Sequence, residues 1–404
     1  MNDSPSIVVV GAGLTAAKAV ETLRQDGFAG AITLIGDEQE RPYERPGLSK
    51  SYLQGKSASD DLFVHPDAWY AEHDVDTHFG DAATAIDREH RTVTLASGAS
   101  IGYDQLLLAT GSRPNTLQVP GADLAGVFSL RRIADSDQIR AAFADATRLV
   151  VIGAGWIGLE TAAAAREAGL EVTVLAQGPL PLGRVLGAEL GEYFAALHRK
   201  NGVDLRTSVS VTELVGTQGR VSAVRVGPDE LPADMVIVGV GISPNVELAV
   251  EAGLDVVNGI VADERLRTSD PLIFAAGDVA NARNTAFGAN LRVEHWDNAM
   301  RQGVMVGRSM LEQPVAYDWQ PYFYTDQYDL GMEYVGRSEA DDDVVIRGDK
   351  DSGEFIVFWL RDGRLTAGMN VNVWDVNDDI RALIGQRVDP AALADPDVAL
   401  GDLA

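Results

Sequence analysis

The sequence predicts an α/β protein with two Rossmann-like domains followed by a C-terminal α+β domain. The first observation is that "VVVGAGLTAAK" (8–18) and "VVIGAGWIGLE" (150–160) share one pattern, in which an apolar run meets Gly-x-Gly before an Ala-rich amphipathic stretch. The second is that "DQLLLATGSRPN" (104–115) returns as "DMVIVGVGISPN" (234–245). Two matched pairs in the same order indicate an internal duplication of one α/β unit.

The first repeat predicts a buried strand at 6–10, a helix at 14–26 and a second strand at 31–35. The stretch "TAIDREHRTVTLASGASIGYDQLLLAT" alternates between polar and apolar residues, which predicts short antiparallel strands before the closing strand. Apolar strands that alternate with amphipathic helices are typical of parallel βαβ units.

The second repeat predicts the same elements in the same order. A strand at 148–152 precedes a helix at 157–168 and a strand at 171–175. The stretch "VSVTELVGTQGRVSAVRVGPDELPADMVIVG" again predicts antiparallel strands and a closing strand.

The composition changes after residue 315, where aromatic residues and strand-like alternation around turns predict a separate α+β domain. The stretch "WDVNDDIRALIGQR" (374–387) predicts a helix, and we expect an acidic, frayed tail from about residue 394. The predicted domains are a first domain at 1–115 and 246–315, a second at 116–245 and a third at 316–404.

Bulk composition excludes several classes of function. The 404 residues include no cysteine, which excludes disulfides, thiolate metal sites, bound iron–sulfur clusters and redox thiols in this chain. The net charge of -27 argues against nucleic-acid binding, which needs a basic face. No stretch reaches the ~18 apolar residues of a membrane span, and "MNDSPSIVVVGAG" shows no signal peptide, so we expect a cytoplasmic location.

The two glycine loops predict dinucleotide-binding domains. In such loops the first glycine permits the tight turn, the second lets the backbone approach a pyrophosphate, and the third position must be small for helix packing. These positions are Gly11, Gly13 and Ala16 in the first loop, and Gly153, Gly155 and Gly158 in the second. Neither loop ends in Lys-Ser or Lys-Thr, so neither is a mononucleotide P-loop.

The two loops predict sites that are not equivalent. A carboxylate at the end of the second strand typically binds a ribose hydroxyl, and the first repeat supplies Asp37 and Glu38 there. The second repeat has Ala176 and Gln177 instead, and the nearest arginine, Arg184, lies several residues downstream. The first site is therefore predicted to bind an ADP-ribose, and the choice between NADH and NADPH at the second stays open. Two dinucleotides suit a relay from a transient nicotinamide to a resident flavin.

The motifs together resemble the FAD-dependent ferredoxin reductases that serve bacterial cytochromes P450 and Rieske dioxygenases, the putidaredoxin-reductase-like group with the glutathione-reductase fold. The resemblance covers nearly the whole chain. Its motifs are "GAGLTA" (11–16), "RPYERPGLSKSYL" (41–53), "LLLATGSRP" (106–114), "GAGWIGLE" (153–160), "TSDPLIFAAGDVA" (268–280) and "VEHWDNAMRQG" (293–303).

The resemblance implies roles for named residues. Lys50 would lie near the flavin ring, and Glu160 would face the nicotinamide and pair with Lys50, so these two are the predicted catalytic residues. FAD contacts are implied for Gly11, Gly13, Leu14, Thr15, Ala16, Asp37, Lys50, Ala83, Ala109, Thr110, Gly111, Arg131, Asp278 and Trp296. NADH contacts are implied for Gly153, Gly155, Trp156, Ile157, Gly158, Glu160 and Gly241, with NADPH not excluded.

Structural roles are open for some of these residues. Asp278 could be the N-cap of a following helix. Trp156 and Trp296 could be core or interface residues. For Trp319 and Tyr328 a core or interface role is the favoured interpretation. No histidine has a spaced ligand set, so no metal site is predicted.

The implied partner is a [2Fe–2S] ferredoxin that supplies a P450 or Rieske oxygenase. The absence of cysteine excludes the disulfide reductases and peroxidases that share the fold. Two alternatives remain, a reductase of a quinone or small molecule, and a binding flavoprotein like apoptosis-inducing factor. We expect a monomer or weak dimer, and a basic docking patch is predicted from Arg41, Arg45, Lys56, Arg292 and Arg301.

Overall fold

The computed structural model describes residues 5–339 and 341–403, which group into two compact units. Unit 1 comprises Met1–Arg45, Ser59–Arg113 and Ser243–Pro321. Unit 2 comprises Pro46–Ala58, Pro114–Ile242 and Tyr322–Ala404. The predicted domain boundaries stay predictions, and the grouping of Pro46–Ala58 with unit 2 does not follow from the sequence.

The helices are α1 (Leu14–Gln25), α2 (Asp67–Glu72), α3 (Ile133–Asp145), α4 (Trp156–Glu167), α5 (Gly183–Lys200), α6 (Glu247–Glu251), α7 (Trp296–Met310), α8 (Asn377–Leu383) and α9 (Pro390–Ala394). The strands are β1 (Ser6–Val10), β2 (Ala31–Gly36), β3 (Val75–Phe79), β4 (Ala83–Asp87), β5 (Thr92–Leu95), β6 (Ser100–Gly102), β7 (Gln105–Leu108), β8 (Ser112–Pro114), β9 (Val127–Phe128), β10 (Arg148–Ile152), β11 (Glu171–Leu175), β12 (Asp204–Arg206), β13 (Val211–Thr217), β14 (Arg220–Val226), β15 (Asp229–Pro232), β16 (Met235–Val238), β17 (Ile242–Pro244), β18 (Ile260–Ala262), β19 (Ile273–Ala275), β20 (Ala280–Asn284), β21 (Ala289–Leu291), β22 (Tyr322–Gln327), β23 (Leu330–Gly336), β24 (Asp343–Asp349), β25 (Glu354–Arg361) and β26 (Arg364–Val371).

Unit 1 is built on a five-stranded parallel sheet in the order β19-β7-β1-β2-β3. Strand β1 is buried from its second residue to its last, as expected for a parallel strand covered on both faces. Val10, where β1 ends, pairs with Ile35 of β2 and Leu108 of β7. Strands β4, β5 and β6 form the antiparallel sheet that the alternating pattern predicts.

Unit 2 repeats this arrangement in a parallel sheet with the order β12-β11-β10-β16-β9. Ile152, where β10 ends, pairs with Leu175 of β11 and Val238 of β16. Strands β13, β14 and β15 form the second antiparallel sheet. The matching registers confirm the predicted repeat of one α/β unit, and the predicted first helix and strands of each repeat are confirmed to within a residue.

The closing turn of each repeat is hydrogen-bonded to the asparagine of the other repeat. In unit 1 the backbone N–H of Asn245 donates to the carbonyl of Gly111 at 3.0 Å. In unit 2 the backbone N–H of Asn115 donates to the carbonyl of Gly241 at 2.9 Å. Each turn glycine is therefore bonded to an asparagine that belongs, along the chain, to the other repeat.

The remainder of unit 2 includes an antiparallel sheet in the order β22-β23-β26-β25-β24. Its buried side chains include Val335, Phe358 and Leu365, and helix α8 packs Ile380 and Leu383 into the same cluster. This sheet and its helices match the predicted α+β character of the C-terminal segment.

Two predictions for the C-terminal segment are wrong. The helix expected at 374–387 extends only from Asn377 to Leu383, because Asp375 has a φ of 62° and Gly385 a φ of 86°, both outside the helical range. The tail is not frayed over residues 394–403, because Leu393 and Leu400 are buried in the cluster beneath it, and Ala404 lies outside the described residues. Two apolar anchors therefore outweigh the acidic composition on which that prediction rested.

The third small position of each glycine loop, three residues after the second glycine, offers a stability test. A Cβ on Gly158 would lie 2.1 Å from the carbonyl oxygen of Gly153, whereas the equivalent position in unit 1 already holds Ala16. We expect Gly158→Ala to force α4 away from β10 and to lower the free energy of unfolding of unit 2 by about 1–3 kcal/mol. Thermal and denaturant unfolding measure this, with Ala16→Gly as the matched control. An unchanged unfolding curve for Gly158→Ala would contradict the close packing.

Among residues 5–339 and 341–403, no helix combines the length and apolar composition needed to cross a lipid bilayer.

Candidate functional site

The first cradle begins where β1 turns into α1. Gly11 has a φ of 107°, and its N–H donates to the carbonyl of Ile35 at 2.8 Å. A Cβ on Gly11 would lie 2.2 Å from the carbonyl oxygen of Ala109, so the end of β7 occupies the place of a side chain. Only glycine satisfies both the backbone angle and this close approach.

Gly13 leaves open space in front of the helix that follows. A Cβ on Gly13 would meet no atom within 4 Å, and Gly13 is the N-cap of α1 without a side-chain hydrogen bond. The first turn of α1 contains no acidic residue. Backbone N–H groups and the positive end of the helix dipole therefore face this space, an arrangement that suits a phosphate. The cradle thus fits the pyrophosphate of a dinucleotide.

A tight turn after β19 lies beside this cradle. A Cβ on Gly277 would lie 2.5 Å from the hydroxyl oxygen of Thr15, in the first turn of α1. The next residue, Asp278, accepts a hydrogen bond from the Ser112 hydroxyl at 2.7 Å. The structure therefore brings Thr15 and the Asp278 turn together, as a shared dinucleotide site requires.

The reading of Asp278 as the N-cap of a helix is wrong. Asp278 lies within a single 3₁₀ turn, Gly277–Val279, and strand β20 begins directly after it at Ala280. A helix prediction from "AAGDVA" fails because Ala280–Asn284 pair as a strand between β18 and β21 instead.

The acidic end of β2 contains one exposed and one half-buried carboxylate. Asp37 is exposed, whereas Glu38 accepts hydrogen bonds from the Tyr43 hydroxyl at 2.6 Å and from Arg45 at 2.8 Å. Glu38 thereby fixes the start of the "ERPGLSK" segment. Asp37 stays the predicted ribose ligand, because its carboxylate lies at the surface.

Other predicted FAD contacts in unit 1 lie on separate elements. Ala83, at the start of β4, is half-buried. Trp296 begins α7, and its indole N–H donates to Glu44 at 3.0 Å. Burial lowers the pKa of the preceding residue, His295, to about 4, so its ring is neutral at physiological pH.

The second cradle in unit 2 matches the first in detail. Gly153 has a φ of 109°, its N–H donates to the carbonyl of Leu175 at 2.8 Å, and its Cβ would lie 2.2 Å from the carbonyl oxygen of Gly239. Gly155 again leaves open space, because its Cβ would meet no atom within 4 Å. Helix α4 starts without a side-chain cap or an acidic first turn. This cradle also fits a pyrophosphate.

The surroundings of the second cradle are apolar. Ile157, in the first turn of α4, is an exposed large apolar residue. Ala176, at the end of β11, is buried and carries no carboxylate, and Gln177 is exposed. Trp156 is half-buried and packs against Phe194 and Phe323, with ring centroids 5.8 and 5.0 Å apart, and its coenzyme contact stays a prediction.

Glu160, on the second turn of α4, holds a buried cluster of polar side chains in unit 2. Its Oε1 accepts from Lys50 Nζ at 2.7 Å and from the Thr325 hydroxyl at 2.6 Å, and its Oε2 accepts from the Ser49 hydroxyl. The Glu160 side chain is only 3% exposed and that of Lys50 only 15%. The ion pair that the resemblance implies is therefore present, and the two residues keep their predicted roles.

Lys50 reaches this cluster because the Pro46–Ala58 segment is anchored in unit 2. The Ser136 hydroxyl on α3 donates to the carbonyl of Leu48 at 2.9 Å. The Tyr52 hydroxyl donates to Asp137 at 2.8 Å, and Lys56 pairs with Glu167 at 3.0 Å. Arg131 precedes α3, and its backbone N–H donates to Asp135 at 2.9 Å.

The residues of the predicted basic patch have acidic or aromatic neighbours. Arg45 pairs with Glu38 at 2.8 Å, Arg301 pairs with Asp297 at 2.8 Å, and Arg292 contacts Glu294. Arg41 stacks on the Phe63 ring at 3.6 Å. Lys56 lies in unit 2, whereas the four arginines lie in unit 1. Their charge is largely compensated nearby, and the patch stays a prediction.

Three residues of the Glu160 cluster and its surroundings are missed by motif reasoning, namely Ser49, Thr325 and Gln327. Ser49 stands beside Lys50 in "LSK". Thr325 and Gln327 lie two residues apart on the buried face of β22, with the exposed Asp326 between them. Two polar residues on the inner face of an aromatic strand are a usable signal, because buried polar groups need partners.

Comparison with known proteins gives matches over most of the chain. Residues 5–303 match the family described as pyridine nucleotide-disulphide oxidoreductase, and residues 322–404 match the one described as reductase C-terminal. The ferredoxin--NAD(+) reductase component of the anthranilate 1,2-dioxygenase system of Burkholderia cepacia is 39% identical over 398 residues, which cover 97% of this chain and 98% of that one.

Two solved structures match over nearly the full length. The ferredoxin reductase for the CYP199A2 system from Rhodopseudomonas palustris has a TM-score of 0.95 and 37% identity, over 99% of this chain and 100% of that one. The covalent putidaredoxin reductase–putidaredoxin complex gives a TM-score of 0.96 and 36% identity, over 100% of this chain and 98% of that one.

The repeated cradles, the buried Lys50–Glu160 pair and these matches lead to one conclusion. The chain belongs to the pyridine nucleotide-disulphide oxidoreductase family, within the group of ferredoxin reductases related to putidaredoxin reductase.

Proposed function

We propose that this oxidoreductase passes electrons from NADH through FAD to a [2Fe–2S] ferredoxin, which supplies a cytochrome P450 or Rieske oxygenase. The observation that carries the proposal is the presence of two open dinucleotide cradles in one chain, at Gly13 and Gly155. The relatives support the acceptor, since one is named for an NAD(+)-linked ferredoxin reductase and another was solved joined to putidaredoxin.

The first cradle would hold FAD, and the second would hold NADH. Gly11, Gly13 and Thr15 would bind the FAD pyrophosphate, with Asp37 on the ribose. Gly153, Gly155 and Gly158 would bind the pyrophosphate of NADH. A bound flavin accepts a hydride as an electron pair and releases electrons singly, which matches a two-electron donor to a one-electron acceptor.

Lys50 and Glu160 supply charge and orientation rather than acid–base chemistry. Lys50 provides a largely buried cation, and the Glu160 carboxylate at 2.7 Å keeps that cation in place. A fixed buried cation stabilises negative charge that develops nearby, and a partnered one costs less to bury than an isolated one. Hydride transfer needs no nucleophile, and the chain has no cysteine to provide a thiol.

Two features of the second cradle bear on the coenzyme. Ala176 provides no carboxylate to repel a 2′-phosphate, so NADPH is not excluded as a donor. Ile157 exposes apolar surface at the start of α4, where a bound coenzyme would cover it. A cytoplasmic location and a monomeric or weakly dimeric state stay predictions.

The decisive experiment compares electron acceptors for the purified flavin-loaded protein. We expect rapid NADH oxidation when a [2Fe–2S] ferredoxin is added, seen as bleaching of the ferredoxin visible absorbance. NADPH and NADH are compared in the same assay. Quinone or ferricyanide reduction with no ferredoxin bleaching above background would favour the small-molecule alternative. Tight NADH binding with slow oxidation by every acceptor would favour a binding flavoprotein.

A further inference from the structure

A line of buried polar side chains leads away from Glu160 through the interior of unit 2. The Thr325 hydroxyl donates to Glu160 Oε1 at 2.6 Å, and the Gln327 amide donates to the Thr325 oxygen at 3.2 Å. His198 Nε2 lies 2.8 Å from Gln327 Oε1, and the Tyr328 hydroxyl lies 3.3 Å from His198 Nδ1. Thr325, Gln327 and His198 are each no more than 1% exposed.

The donors and acceptors in this line allow one direction of hydrogen bonding, with each group donating toward Glu160 or accepting from the group behind it. An ionised Glu160 only accepts, so the Thr325 hydroxyl donates to it and accepts from Gln327 Nε2. Gln327 Oε1 then faces His198 Nε2, which must carry the proton. His198 Nδ1 is left to accept from Tyr328. Burial lowers the pKa of His198, against a smaller opposite effect of Gln327, so the neutral ring that this order requires is the favoured form.

The line connects two further elements of unit 2 to the Glu160 carboxylate on α4. Glu160 lies on α4, Thr325 and Gln327 lie on β22, and His198 lies on α5. The Glu160 oxygens together accept from Lys50, Thr325 and Ser49, so rotation of the carboxylate would break several hydrogen bonds at once. Apolar side chains of similar size would stabilise this part of the core as well as the polar ones do, so stability alone does not explain the polar residues. A fully hydrogen-bonded polar line instead favours a role in fixing the geometry of the Glu160 carboxylate.

We propose that Thr325, Gln327 and His198 are positioning residues that hold the Glu160 carboxylate, and through it Lys50, in the orientation used for hydride transfer. This inference rests on the proposed function, because the orientation matters only if NADH reduces a flavin in this protein. The line acts in series, because His198 bonds to Gln327, Gln327 to Thr325 and Thr325 to Glu160.

The main test is the anaerobic reduction of the flavin-loaded protein by NADH in stopped flow. Thr325→Val keeps the side-chain shape and removes the hydroxyl, and we expect the limiting reduction rate to fall about 10-fold, near the lower limit for the loss of one hydrogen bond to a charged group. Thr325→Ser restores the hydroxyl and should restore the rate. The dissociation constant for NADH and the flavin content should stay close to those of the unaltered protein, whereas the melting temperature should fall, because the buried Gln327 amide loses its acceptor.

A second variant tests the series arrangement and remains informative if Thr325→Val fails to fold. Gln327→Leu should lower the limiting rate by a smaller factor, about threefold, because the Thr325 hydroxyl can still donate. The double variant should be no slower than Thr325→Val alone, since coupled residues are not additive.

A third readout does not depend on turnover. Selective ¹⁵N labelling of histidine, with the His198 signal assigned through its loss in His198→Phe, should show the neutral tautomer protonated at Nε2. The Nδ1-protonated tautomer would overturn the proposed direction. Limiting rates in Thr325→Val and Gln327→Leu equal to that of the unaltered protein would overturn the positioning role. Failure of NADH to reduce the unaltered protein would instead overturn the proposed function.

Discussion

Replacing Gly13 by valine is expected to give a folded protein that contains no flavin. The backbone of Gly13 is extended, with φ -95° and ψ -171°, a conformation that valine adopts readily. Its Cβ would meet no protein atom within 4 Å, so the new side chain fits the protein itself. That side chain would occupy the space in front of α1 where a pyrophosphate must approach the backbone.

Absorbance near the flavin maximum, measured against protein concentration, gives the result directly. Circular dichroism and a melting curve show whether the fold is kept. Gly102→Val is a suitable control, because a Cβ on Gly102 would meet nothing nearer than the carbonyl oxygen of Arg91 at 4.0 Å and Gly102, on β6, lies outside both cradles. Normal flavin content in Gly13→Val, after purification or reconstitution, would contradict the assignment of the first cradle.

Replacing Gly155 by valine is expected to abolish tight coenzyme binding while the flavin is retained. Gly155 has nearly the same backbone angles, φ -85° and ψ -175°, and the same open surroundings. Loss of the pyrophosphate approach should raise the dissociation constant for NADH by about 100-fold, equal to about 2.8 kcal/mol. Binding of NADH to the oxidised protein and the concentration dependence of flavin reduction both measure this.

The two valine variants serve as controls for each other. If the cradles have the roles assigned to them, one variant loses colour and the other loses coenzyme affinity. Loss of flavin from Gly155→Val, with NADH affinity unchanged, would reverse the assignment of the two sites. The limiting reduction rate of Gly155→Val at saturating NADH should remain measurable, because Lys50 and Glu160 are untouched.

The paired repeats could be predicted from the sequence because their elements are fixed locally. A buried β-branched run such as 6–10 ends at Gly11, which adopts a positive φ, and the Ala-rich amphipathic stretch after it forms the helix α1. The C-terminal errors have different origins. The ends of α8 are set by the positive φ of Asp375 and Gly385, a local feature that the apolar pattern does not reveal. The order of the tail depends on Leu400, which packs with Ile380 only after folding.

The Lys50–Glu160 pair could be inferred only through the family resemblance, since 110 residues separate the two in the chain. The neighbours of Glu160 were harder to predict. Thr325 lies 165 residues away from it, and no local pattern states which buried carboxylate a strand hydroxyl will meet. Hydrogen-bond partners of this kind follow from tertiary packing, whereas the glycine loops follow from backbone angles.

The crossed asparagine bonds of the closing turns restrict how the gene can evolve. Unit 1 needs Asn245 and unit 2 needs Asn115, so neither ancestral half can be excised as one continuous stretch of sequence. Deletion of either closing turn would remove one hydrogen-bonding partner from each of the two units at once.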